Sequence, residues 1–299
     1  MKKSFLLSAC LLALAFIVRA QRPDTASVVI HYKFSHQIDT TNPKSIYQEN
    51  MMLLVGKRST VYRSYDARLA DMDAIKQIQE QMTANGGHGN FRVDRKHAGS
   101  ATEYYLFPAE NKLIRKEKLL NSYLIAGPLP AIDWKINTAT ATFGGMHCQK
   151  ATTHFKGRNY TAWFCPDIPS HGGPWQLSGL PGLILEAYDA KKQVVFKFDG
   201  VEDLSKMTGA MKTAPQPPGG LKFFGLDDLD MDPRLIALPK NSIKTTEPEF
   251  AKLKEAMRKD PNAMLQMEMA GAGGPQMHAD RKAGPRPVEN NPVELPEKK

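Results

Sequence analysis

The chain has 299 residues, of which 41% are hydrophobic and 24% charged, with three cysteines and a formal net charge of +9. About 250 residues precede the polar C-terminal tail, enough for one large β-rich domain or two small ones. The basic residues are scattered (Arg92, Arg95 and Lys96, then Lys112, Arg115, Lys116 and Lys118) with no aromatic ladder between them, so the footprint of a nucleic-acid binder is missing.

Met1-Lys2-Lys3-Ser4 runs into FLLSACLLALAFIV and ends on a small residue, Ala20. A basic start, an apolar stretch and a small residue are the parts of a secretory signal peptide, assigned to residues 1–20. Its removal takes Lys2, Lys3 and Arg19 and lowers the net charge to +6. Leu7-Ser8-Ala9-Cys10 has the residue types of a lipoprotein box, but the apolar run continues well past Cys10. Loss of Cys10 with the signal is the favoured reading. No later segment reaches the roughly 18 apolar residues a membrane span needs. The expected product is an exported protein of the periplasm or cell surface, with no transmembrane span after signal removal.

Ser27 to Phe34 is alternating and β-branched and reads as a strand. Residues 47–65 read as a hairpin: an apolar run, a Gly56-Lys57 turn, and a partner from Ser59 to Tyr65. Leu69, Met72, Ile75, Ile78 and Met82 then recur at helical spacing, with Asp66 placed to cap the start and Asn85-Gly86-Gly87 to end it. Strand-like runs resume at Thr102–Phe107, Lys112–Lys116 and Ser122–Ile125, and from Ala139 to Val201 the pattern is almost continuous β. Within it, Leu183–Tyr188 and Val194–Phe198 read as a hairpin. One internal helix among so many strands predicts a mainly β fold, an antiparallel curled sheet or open barrel or sandwich, over residues 26–203. Residues 204–245 read as an irregular linker. Thr246-x-x-Glu249 is a capping box that opens a helical segment to 270, restarted at Asp260-Pro261. Glycine, proline and charge dominate 271–299, which reads as a disordered tail.

Cys148 and Cys165 are the two cysteines left after signal removal. Disulfide pairing is the default for such a pair in an exported protein. If Lys156-Gly157 is a two-residue hairpin loop, opposed residues sum to 313, so that Phe155 faces Arg158, Lys150 faces Trp163 and Cys148 faces Cys165. The cysteines would then form a non-hydrogen-bonded pair, at a Cα separation that a disulfide accepts at its short edge. His147 and His154 are badly placed to activate Cys148, the first pointing to the other strand face and the second lying six residues away.

Gly179-Leu180-Pro181-Gly182-Leu183-Ile184 contains no acid, base or nucleophile. Proline followed by glycine predicts a type II turn with Pro181 and Gly182 at its centre, a structural corner rather than a catalytic loop. Around it, Cys148, Lys150-Ala151, Gly157-Arg158, Ala162-Trp163, Ile168-Pro169 and Gly173-Pro174-Trp175 stand in the order of a known signature. The chain resembles the GLPGLI family, named for these six residues, over roughly residues 26–203. The resemblance implies an exported protein of a Bacteroidetes-type envelope, a mainly β fold and no established activity. It also implies an outer-membrane receptor or another envelope protein as partner, and it supplies no catalytic residue.

Three functions are weighed. The first is a non-enzymatic binding or interaction protein, taking an apolar ligand, a peptide or an envelope component on a concave sheet face, with Trp134, Trp163 and Trp175 as lining or core aromatics. The second is copper handling: Met264, Met267, Met269 and Met277 with His278 are the soft ligands that suit Cu(I), although Met257, Met264 and Leu265 also fit an apolar helix face. No other cofactor is expected. The third is a hydrolase, which would need His147, His154, Asp167 and His171 to converge on one cleft.

Overall fold

The structure, a computed structural model, describes residues 23–85, 99–119, 121–205, 232, 234–260 and 289–297. Residues 1–20, expected to be a signal peptide, and Met264, Met267, Met269, Met277 and His278 lie outside them, as does the helix expected to restart after Asp260.

Among the described residues, twelve strands form one sheet. Its centre is built by β2 (Val28–Gln37), β3 (Ile46–Val55) and β4 (Thr60–Ser64), each antiparallel to the next. Met51 to Val55 is a continuous apolar run because both faces of the sheet are covered there. Leu53 joins one core cluster and Leu54 the other. Full burial of each such leucine contributes about 1.5–3 kcal/mol. On one side of this centre follow β5 (Glu103–Phe107), β6 (Lys112–Lys118), β7 (Ser122–Pro128) and β14 (Ser242–Thr245), the last running parallel to β7. On the other side follow β12 (Val194–Asp203), β11 (Leu183–Asp189), β10 (Arg158–Cys165), β9 (Met146–Phe155) and β8 (Lys135–Phe143). The sheet ends at β14 and β8 and is therefore open rather than a closed barrel. A small separate ribbon pairs β1 (Asp24–Thr25) with β13 (Leu235–Ile236). The fold is mainly β, as the sequence predicts.

Helix α1 (Tyr65–Ala84) starts one residue before Asp66, and its cap is Ser64, whose Oγ accepts from Ala67 N at 2.9 Å. Asp66 instead accepts from the backbone and side-chain amides of Asn50. The buried stripe is Ala74, Ile75, Ile78 and Met82, whereas Leu69 and Met72 are exposed. Leu69 and Met72 therefore lie off the buried stripe, although Tyr65 and Asp66 in the first turn touch His31 of β2 and Asn50 of β3. Helix α2 (Glu247–Lys259) carries the predicted capping box between Thr246 and Glu249, and Phe250 anchors it by packing on Tyr123 of β7. No helix among the described residues is long and apolar enough to cross a membrane.

Two expectations are corrected at the chain's end. The linker region contributes the ordered strands β13 and β14. Residues 289–297, read as part of a disordered tail, form an extended strap bonded to β2, β9 and β10. Local composition made this segment look structureless. Its order comes from partners more than a hundred residues away in sequence.

Candidate functional site

The β9–β10 hairpin has the predicted register. Phe155 faces Arg158 and Lys150 faces Trp163, across a turn in which Lys156 and Gly157 both have positive φ, 49° and 71°. Cys148 and Cys165 are both buried, and they are free thiols rather than the expected bridge. Cys148 Sγ donates to Met146 O at 3.8 Å and also bonds the Cys165 thiol. Burial, and then the neighbouring thiol, push the Cys148 thiol up to about 12, so it holds its proton and is a poor nucleophile at neutral pH.

The corner at 179–184 differs from the type II turn expected. Gly182 N bonds to Leu180 O at 2.8 Å, closing a tighter three-residue turn on Pro181. Gly182 has φ +150°, and a Cβ there would collide with the Cys165 carbonyl. Leu180, Leu183 and Ile184 are buried in the larger core cluster. The stretch leads into β11, which pairs antiparallel with β10 beside the hairpin, and has no reactive group of its own.

At the other end of β10, Arg158 and Asp189 form an ion pair with side chains only 2% and 4% exposed. Nη1 donates to Asp189 Oδ2 at 2.8 Å, while Asp189 Oδ1 accepts from Gln193 N and Val194 N. The remaining fork turns to the strap. Nη2 donates to Asn291 Oδ1 and Pro292 O, both at 2.7 Å, and Nε donates to Val293 O at 2.8 Å. Such a buried pair is tolerable because both partners find additional bonds. Beside it, His36 Nε2 donates to Asn291 O at 2.6 Å. Burial holds His36 below the usual imidazole range, and the nearby Arg158 charge adds to this.

Beyond the strap opens a cleft of about 310 Å³, lined by Tyr104, Arg115, Lys156, Gln176 and Glu247 over a floor of Leu113 and the 125–128 segment. Tyr104 and Arg115 come from β5 and β6, and Lys156 from the β9–β10 turn. The two arms of the sheet therefore curl toward one another, and the cleft lies on the concave side. Its rim is polar and internally paired. Arg115 Nη2 contacts both oxygens of Glu247 at 2.9 and 2.8 Å. Lys156 Nζ and Gln176 Nε2 donate to the two oxygens of Glu294, at 2.7 and 2.9 Å. An apolar floor with a few convergent polar groups is the common form of a small-ligand site, and this volume is at the lower end of that range.

None of the three predicted aromatics lines this cleft. Trp175 is buried, stacked on Phe196 at 6.4 Å, and bonds the Tyr104 hydroxyl. Trp134 is half-buried and donates Nε1–H to Ser178 O at 2.8 Å, while Trp163 packs on Phe143 at 6.0 Å. Two of the hydrolase candidates bond other partners. His154 bridges Asn159 and Glu297, and His171 contacts Leu180 O. Among the described residues no hydrogen bond joins any two of His147, His154, Asp167 and His171.

Sequence reading missed Tyr104, Arg115, Lys156 and Gln176 because they come from four separate segments with no motif spacing. It also missed the role of Arg158. The only local signals were a Gly-Arg pair after a turn lysine and an Asn-Asn-Pro run in an otherwise low-complexity tail.

The model of a family described as "Protein of unknown function (Porph_ging)" matches residues 154–186, the stretch holding Arg158, Cys165 and the 179–184 corner. No curated protein matches the chain. Solved structures of PNGF-II, in P21 and C2 space groups, are similar at 14% and 15% identity, each with a TM-score of 0.46, covering 76% and 75% of this chain. The chain spans about a third of the length of those proteins, 32% in both cases. Likeness at that level carries no weight for activity.

Proposed function

We propose that this chain is an exported, non-enzymatic binding protein of the GLPGLI type, working in the periplasm or at the cell surface. It holds a small apolar-bodied ligand, or the side chains of a peptide, in the cleft between the two arms of its sheet. The observation that carries the reading is the cleft itself: an apolar floor of Leu113 and the 125–128 segment under a rim of Tyr104, Arg115, Lys156 and Gln176. The ligand's apolar body would displace water from the floor, and its polar end would exchange bonds with the rim.

Export would also bring Cys148 and Cys165 into an oxidising compartment. Their thiols would then give up two protons and two electrons to an envelope oxidant and close the bridge.

Gly127 provides the test, because a Cβ placed there meets nothing within 4 Å. Gly127→Phe should fill the cleft from an edge-ward strand without disturbing the core. Native mass spectrometry of protein taken gently from its own envelope fraction should show a retained small mass in the unaltered chain and none in the variant. A bare mass for both would sink the proposal. The same spectrum reads the cysteines, since a bridge lowers the mass by two hydrogens.

A further inference from the structure

The strap is held in a manner that reads its sequence. Asn291 uses every polar group it has: N–H to Ile38 O, Nδ2 to Gln37 O, Oδ1 from Arg158, and its carbonyl from His36. Asn290 donates to Asp39 Oδ1 at 2.6 Å and accepts from Thr40 N at 2.9 Å. Pro292 keeps the residue before it extended, which presents the carbonyls of Pro292 and Val293 to the Arg158 fork. Glu294 then takes Lys156 and Gln176, and Leu295 N bonds Lys156 O at 3.1 Å. Gly157 allows this passage, because a Cβ there would lie 2.6 Å from Leu295 O. Glu297 closes the far end on Gly157 N and His154.

Four side chains of a nine-residue segment are thus matched by fixed partners, and one guanidinium grips its backbone. The segment forms no regular helix or strand of its own and is joined to the domain at this site by noncovalent bonds alone. These are the features of a domain binding an extended peptide, with main-chain bonds for affinity and side-chain contacts for specificity.

We infer that the Arg158 socket is a peptide-recognition site for an extended Asn-Asn-Pro-x-Glu segment, filled here by the chain's own residues 289–297 and able to take the same segment from a second copy. The chain's own tail competes with any free peptide, because tethering raises its effective concentration to about millimolar or more. A free peptide should therefore enter only when the resident tail is weakened. The Arg158–Asn291 part of the site shares no residue with the cleft, and only Lys156 and Gln176, which hold Glu294, also belong to the cleft rim.

The test uses the full chain and a fluorescent peptide with the sequence of residues 289–299. The chain carrying Asn291→Ala and Glu294→Ala should bind the peptide saturably, at least about tenfold tighter than the unaltered chain does. Placing alanine at the peptide's own Asn291 position should weaken that binding by a further tenfold or more. Absence of saturable binding to the folded variant would overturn the inference, as would equal binding of a scrambled peptide. If the variant does not fold, amide exchange in the unaltered chain decides instead. Exchange of the Asn291 and Leu295 amides well ahead of the β3 amides supports a separable ligand. Exchange of all of them together, through global unfolding alone, makes the strap an inseparable part of the core and refutes the proposal.

Discussion

The two ends of β10 are held by opposite physics. At Cys165 the neighbour is the 179–184 corner, where Gly182 admits backbone against backbone and leucines fill the space, with no charge involved. At Arg158 the neighbour is the strap, where a buried ion pair and a set of directed hydrogen bonds do the holding beside a single valine, Val293, packed on the core. The corner depends on shape and the socket on saturated donors and acceptors. One should fail when atoms are added, the other when atoms are removed.

The largest expected effect is at the socket. Arg158→Ala strands the Asp189 carboxylate, which is almost wholly buried, and should cost about 4 kcal/mol in denaturant unfolding. Pairing it with Asp189→Ala should recover part of that loss. A double variant no better than the single would mean that the strap contacts, not the ion pair, dominate the socket.

The corner is tested by addition. Gly182→Ala forces a Cβ into the Cys165 carbonyl at a φ of +150° and should cost about 3 kcal/mol. Gly179→Ala has an unfavourable φ of +93° but open space around the new methyl group, and should cost only about 1 kcal/mol. Equal losses at the two positions would show that backbone conformation, not close packing, governs the corner.

Removal at the socket's outer layer is milder. Asn291→Ala deletes two side-chain hydrogen bonds, to Gln37 O and from Arg158, and should cost about 1–2 kcal/mol. The loss should appear first as faster amide exchange in the strap, with β3 unchanged.

The smallest effects come from pH, and the two histidines that touch the strap have opposite signs. His36 has a lowered pKa, chiefly through burial. Its contribution is complete above the ordinary value of 6.5 and is lost as pH falls below that through its folded pKa. His154 has a raised pKa, from Asn159 first and Glu297 second. Its contribution is complete below 6.5 and is lost as pH rises through its folded pKa. The inner end of the strap should thus loosen in acid and the outer end in base, the latter weakly because His154 is exposed. Residue-resolved amide exchange at three pH values separates the two. A strap that responds as one unit would argue against independent anchors.

Much of the fold was legible in local pattern. Alternation over residues 28–34, the Gly56-Lys57 turn, the Thr246–Glu249 capping box and the sum-to-313 register of the β9–β10 hairpin all follow from side-chain period and turn chemistry. These act between residues close in sequence. The candidate site was much less legible. Trp175 reads as either a lining or a core aromatic, and its stacking on Phe196 within the larger cluster decides for the core. Asp66 reads as a cap until Asn50 from a neighbouring strand claims it, leaving the cap to Ser64.

By itself, then, the sequence determined a mainly β chain with one early helix, a glycine-built corner and two cysteines facing across a hairpin. Periodicity, turn geometry and steric freedom at glycine are local properties that leave a mark in local sequence. Only the tertiary structure decided that Tyr104, Arg115, Lys156 and Gln176 share a cleft, and that residues 289–297 are ordered. Those outcomes depend on the curl of a twelve-stranded sheet and on Arg158 finding Asn291 across 133 residues of chain. A mostly polar segment with no periodic apolar pattern gives no sign of order until the partners that satisfy its hydrogen bonds are brought beside it.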